Sequence, residues 1–102
     1  MRRVVHLRVA TRTGDHRELG AFLKEAIPYY ESVPGVRVRL LRSMEHPDRY
    51  IEAIEYETIE AFESDEKRLG GDPRMQGFIQ RWRTLLRDDV AIETYEELTD
   101  TI

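Results

Sequence analysis

Apolar and polar residues alternate from Val4 to Thr11, with Val5, Leu7 and Val9 on one side and His6, Arg8 and Ala10 on the other. That two-residue period predicts a strand with one buried face. Thr13-Gly14-Asp15 breaks it, and Asp15 with Glu18 three residues on forms a capping-box pair at a helix start. The period then lengthens: Leu19, Phe22, Leu23, Ala26, Ile27, Tyr30 and Val33 recur at spacings of three and four, a continuous stripe on one helix face. Pro28 removes a backbone donor within that helix and predicts a kink. Pro34-Gly35 predicts its end, because glycine readily takes the left-handed conformation.

Val36 to Arg42 reads as a second strand, with Val36, Val38 and Leu40 opposite Arg37, Arg39 and Leu41. Glu45-His46-Pro47-Asp48 connects it to a third, Tyr50 to Glu57. There Tyr50, Glu52, Ile54 and Tyr56 share one face, and Ile51, Ala53, Glu55 and Glu57 the other. Apolar residues on both faces predict that both are partly covered. A short helix is expected over Ile59 to Leu69, then a flexible break at Gly70-Gly71. Asp72-Pro73, an N-cap acid before a first-turn proline, starts the next helix, and Met75, Phe78, Ile79, Trp82, Leu85 and Leu86 continue a helical stripe. Val90 to Glu96 completes the set as a fourth strand. The order β-α-β-β-α-β is that of an α+β, ferredoxin-like sandwich with helices on one sheet face. The chain has 102 residues, enough for one core and not two, so residues 1–102 are read as a single domain.

Composition narrows the function. A net charge of −4 argues against a nucleic-acid partner, which demands a basic face. With no cysteine there can be no disulfide, thiolate metal site or cysteine nucleophile. Arg2 and Arg3 are followed by no apolar run, so neither a signal peptide nor a membrane anchor is expected, and the protein is read as cytoplasmic. The chain also lacks asparagine, so no such amide can orient a substrate.

Several stretches resemble the antibiotic-biosynthesis monooxygenase-like group of dimeric α/β barrels. They are Val4-Val5 through Thr13-Gly14-Asp15, Pro34-Gly35-Val36, Pro47-Asp48-Arg49-Tyr50, and Glu55-Tyr56-Glu57-Thr58 at the close of the third strand, followed by Phe78 and Trp82. The resemblance covers nearly the whole chain in short elements. It implies a homodimer paired through the sheet faces opposite the helices, and a pocket between sheet and helices for a flat organic molecule. Some members of that group oxidise polyketides without a cofactor, others degrade haem, and many have no known activity. The haem-degrading branch relies on an asparagine in the first strand and on a tryptophan and a histidine in the second helical region. Leu7, Asp65 and Ile79 stand at those positions here, so haem degradation is not expected, nor is any other cofactor or metal. The cofactor-independent quinone formers also use an asparagine, which this chain cannot supply.

Among individual residues, Phe22, Tyr56, Phe78 and Trp82 are expected to touch an apolar pocket, against the plainer reading that residues of a helical stripe are core. His6 is the one histidine inside a predicted element and the candidate general base. A histidine on the polar face of a strand is more commonly structural or solvated. Arg8, Arg37 and Arg39 face the same side as Glu55 and Glu93, which favours cross-strand ion pairs over an anion site. Leu41, Ile51, Ala53 and Tyr95 fall on the face away from the helices, where a lone sheet would expose them, and the tail from Leu98 to Ile102 is free to reach a partner. Two functions follow. One is a dimer binding a hydrophobic, aromatic small molecule. The other is a cofactor-independent, monooxygenase-like enzyme acting on a polyketide-like or quinol substrate. The helix-facing positions Leu7, Val9, Val38 and Leu40 are apolar, which favours binding.

Overall fold

The computed structural model describes residues 2–102. Its elements are β1 (Arg3–Ala10), α1 (His16–Tyr30), β2 (Val36–Arg42), β3 (Arg49–Tyr56), α2 (Ile59–Gly71), α3 (Pro73–Thr84), β4 (Ala91–Glu96) and a short 3-10 turn at Thr99–Thr101. The strands form one sheet in the order β2-β3-β1-β4, every neighbouring pair antiparallel. Register places Val5 opposite Ile54, Leu7 opposite Glu52 and Val9 opposite Tyr50, so these side chains share the helix-covered face. The fold is the α+β ferredoxin-like sandwich that the alternation of the strands predicts.

The helix boundaries show which local signals hold. Asp15 caps α1, but its carboxylate accepts from the Arg17 N–H at 2.9 Å, and its own N–H donates to Thr13 Oγ1 at 3.2 Å, so Thr13 takes the part expected of Glu18. The apolar stripe runs to Val33, whereas α1 stops at Tyr30. Its last turn is closed by Glu31 N–H to the Ile27 carbonyl at 2.8 Å, and Val33 packs onto the core from the loop beyond. Gly70 and Gly71 are not a break: both belong to α2, and Asp72 alone separates it from α3. Asp72 serves both ends, its N–H donating to the Arg68 carbonyl at 3.0 Å while its carboxylate accepts from the Arg74 N–H at 2.9 Å. Gly35 has φ +87°, and its carbonyl receives the Glu57 N–H at 2.9 Å where β2 begins beside the end of β3.

Two apolar clusters lie between sheet and helices. The first gathers Val9, Leu19, Phe22, Tyr50, Phe78 and Leu86 where α1 and α3 meet the sheet. The second holds Val5, Val36, Val38, Tyr56 and Ala61 under α2. On the opposite face Arg8 pairs with Glu93 at 2.5 Å and Arg39 pairs with Glu55, the cross-strand ion pairs that alternation predicts. These pairs are exposed, so solvent screening leaves each of them little weight in stability. Ala53 on that face is 1% exposed, while Leu41 and Tyr95 remain 44% and 45% exposed.

Candidate functional site

Between the two clusters the packing leaves a cavity of about 360 Å³. The sheet floors it with Val5, Leu7, Val38 and Ile54; α2 contributes Phe62 and Asp65, and α3 contributes Met75, Ile79 and Trp82. Tyr30 closes it from the end of α1, and Ile92 and Thr94 reach it from β4. Ile92 lies level with Leu7 yet stays 67% exposed, so the cavity is open along β4. The volume is at the small end of the roughly 300–1,000 Å³ usual for ligand sites.

One carboxylate stands in this apolar floor. Glu52 occupies the centre of β3, flanked by Leu7 on β1 and Leu40 on β2, and is 4% exposed. Trp82, pointing down from α3, donates its Nε1–H to Glu52 Oε1 at 2.5 Å. Burial disfavours the charged carboxylate and outweighs that donor, so the Glu52 pKa rises from 4.5 to about 7. The Tyr30 hydroxyl is pushed well above its ordinary value, first by burial and then by the negative charges of Glu52 and Asp65.

A second polar group forms the α2 side. The Tyr56 hydroxyl donates to Asp65 Oδ2, and Asp65 Oδ1 accepts from the Arg68 guanidinium at 2.8 Å. Arg68 also donates to two carbonyls at the end of α1, that of Tyr29 at 2.7 Å, which further accepts from the Ser32 N–H at 3.1 Å, and that of Tyr30 at 2.6 Å. Burial and the bond to Asp65 both push the Tyr56 hydroxyl far above its usual pKa, so it stays a donor. This group fixes the rings of Tyr56 and Tyr30 as cavity walls; its charges neutralise each other, which leaves Glu52 as the chemically free carboxylate.

Of the residues singled out in the sequence, Tyr56 and Trp82 line the cavity. Phe22 and Phe78 do not. They meet edge-on in the first cluster with ring centres 6.2 Å apart, and Phe78 packs against Tyr29 and Tyr30 at 5.7 and 5.8 Å. The α3 stripe is split, with Met75, Ile79 and Trp82 turned to the cavity and Phe78 to the core beside α1. His6 lies on the other sheet face, 5.3 Å from the Tyr95 ring, away from this cavity. Glu52 is the residue that sequence reasoning passed over. Its signal was a lone carboxylate between Tyr50, Ile54 and Tyr56 on an otherwise apolar face. The apolar positions Leu7, Val9, Val38 and Leu40 therefore do not account for the whole helix-facing surface, since Glu52 lies among them.

A larger groove of about 640 Å³ lies at one end of the sheet, lined by charges of both signs including Arg42, Arg49, Asp88 and Asp89. Among the described residues no group of three or more His, Asp and Glu is placed to hold a metal ion. No helix among them is long and apolar enough to cross a membrane.

No protein-family model matches the chain, and no curated protein sequence does. Solved structures do. SnoaB, a cofactor-independent oxygenase from Streptomyces nogalater solved as a single-substitution variant, is 15% identical with TM-score 0.75, over 94% of this chain and 92% of that one. A candidate antibiotic biosynthesis monooxygenase from Bordetella bronchiseptica is 18% identical with TM-score 0.75, over 94% and 96%. Rv0793 from Mycobacterium tuberculosis is 20% identical with TM-score 0.72, over 96% of each chain.

Proposed function

We propose that the chain, which has the fold of the antibiotic biosynthesis monooxygenase-like proteins over nearly its full length, works as a homodimer that binds a small, flat, hydrophobic molecule in the cavity between sheet and helices, with Glu52 as the polar anchor. The observation that carries this reading is the combination in one space of apolar walls, the rings of Tyr30, Tyr56, Phe62 and Trp82, and, among the described residues, a single buried carboxylate without a counter-charge. Ligand sites are commonly apolar hollows with few, well-placed polar groups. The dimer is supported by the outer sheet face, where Leu41 on β2 and Tyr95 on β4 are exposed at the two edges. Trp82 is the one tryptophan of the chain, so its emission reports on this cavity alone. Planar aromatic compounds are expected to quench or shift that emission with saturation. Unchanged emission across such a panel at millimolar concentration would remove the binding reading.

Glu52 also supports a second reading, a cofactor-independent oxygenase for a quinol or polyketide-like substrate. A carboxyl with pKa about 7 is suited to take a proton near neutral pH. The step asked of this chain is one proton transfer from a substrate hydroxyl to Glu52, leaving an electron-rich anion whose own electrons reduce dioxygen. Oxygen consumption with polycyclic quinols tests it. A rate that persists in Glu52→Gln rules out Glu52 as the base.

A further inference from the structure

Among the described residues no cation pairs with the carboxylate of Glu52. The influences on its carboxyl are burial and the Trp82 N–H alone. The other ionisable groups around the cavity are Tyr30 from α1, Tyr56 on β3, Asp65 and Glu66 from α2, and Arg83 from α3; β1, β2 and β4 contribute apolar residues and Thr94. Asp65 is already paired with Arg68. Glu66 and Arg83 are both exposed to solvent, which screens their charges. What remains inside is one carboxylate against an indole, among aromatic walls.

An ionised carboxylate presents about four acceptor positions, and Trp82 fills one. A neutral hydroxyl on a ligand would fill a second but leave the buried charge uncompensated, a costly state. An ammonium group would donate hydrogen bonds, cancel the charge and meet the negative faces of the surrounding rings. A ligand carboxylate would instead bring like charges together. We propose that the cavity selects ligands carrying a protonated amine on a flat apolar body, with the ammonium paired to Glu52 beside the Trp82 indole. This rests on the binding reading above and names the class of its ligand.

Three probes of similar shape separate the possibilities: tryptamine, its alcohol analogue tryptophol, and indole-3-acetate. Their affinities for the full-length protein are measured by calorimetry between pH 5 and 8, a range in which the amine stays charged. At pH 8 tryptamine should bind roughly tenfold or more tightly than tryptophol, as expected for a charge-assisted bond, and indole-3-acetate weakest of the three. The advantage should shrink as pH falls through about 7 and Glu52 takes a proton. Glu52→Gln should abolish the advantage, because the amide carries no charge for the ammonium to pair with. The pH series on the wild-type protein stands whatever the folding of that variant. Tryptophol binding as tightly as tryptamine, or a tryptamine advantage independent of pH, overturns the amine proposal and leaves the cavity as a binding site. No binding by any probe at millimolar concentration overturns both.

Discussion

Replacing Glu52 with glutamine should stabilise the protein above neutral pH and do little in acid. In the fold the carboxyl is 4% exposed and its pKa is about 7, against 4.5 for the free group. Between those values the folded state holds a proton that the unfolded chain has released. The stability associated with the raised pKa is thus complete below about pH 4.5 and is lost as pH rises through about 7. By pH 8 the ionised carboxylate costs the fold about 3 kcal/mol. Glutamine keeps an oxygen for the Trp82 N–H but buries an amide donor of its own, a debit of about 1 kcal/mol. The net expectation is a gain of about 2 kcal/mol at pH 8, or roughly 10 °C in melting temperature for a domain of this size. At pH 4 the two proteins should agree within about 1 kcal/mol. Urea unfolding at pH 4 and pH 8, at one fixed protein concentration, measures the difference directly. The other titrating groups are common to both proteins and cancel. A glutamine variant less stable than wild type at pH 8, or a difference unchanged between the two pH values, would refute the claim that Glu52 is a desolvated charge.

Three further outcomes are expected. Gly35→Ala should lose about 1–2 kcal/mol from the left-handed backbone alone, and more because the new Cβ would stand 3.2 Å from that of Ala61; thermal melting reads it. Tyr56→Phe should cost about 1–3 kcal/mol by taking a donor from buried Asp65, with faster amide exchange in α2 as the local sign. Light scattering should give twice the 12.1 kDa chain mass at micromolar concentration, and Ala53→Glu should shift it toward one; a well-folded wild-type monomer would contradict pairing through the sheet.

Element order and the helix-facing residues were legible because alternation is a local code: Val5, Leu7 and Val9 need only the period of β1 to reach the core. Glu52 was not, although its companions on one face of β3, Tyr50, Ile54 and Tyr56, were read correctly. Whether a strand residue is buried depends on what lies above it, and the cover comes from α2 and α3, encoded some distance along the chain. The same limit explains Phe22 and Phe78. Their stripe marks them as inward-facing, but the split of α3 between core and cavity is set by how it leans on α1. At Gly70-Gly71 the low helix propensity of glycine, about 1 kcal/mol each, was overridden by Asp72 capping two helices at once. Val33 continues the apolar period without continuing the helix because Pro34 disfavours helical backbone in the residue before it.

The Tyr56–Asp65–Arg68 group has a consequence for how this sequence can diverge. Arg68 holds the last carbonyls of α1 and the carboxylate of Asp65 with one planar guanidinium, and Asp65 in turn holds Tyr56. Lysine at position 68 could not reproduce that fork. Loss of Arg68 alone would strand a buried carboxylate, and loss of Asp65 alone would leave a largely buried cation with carbonyl and hydroxyl dipoles and the Tyr29 ring but no counter-charge. Single steps away from this arrangement therefore pass through weakened proteins, and the three positions are bound to drift together. Relatives should fall into two kinds, those that keep all three residues and those that have replaced Asp65 and Arg68 as a pair, with few intermediates between them.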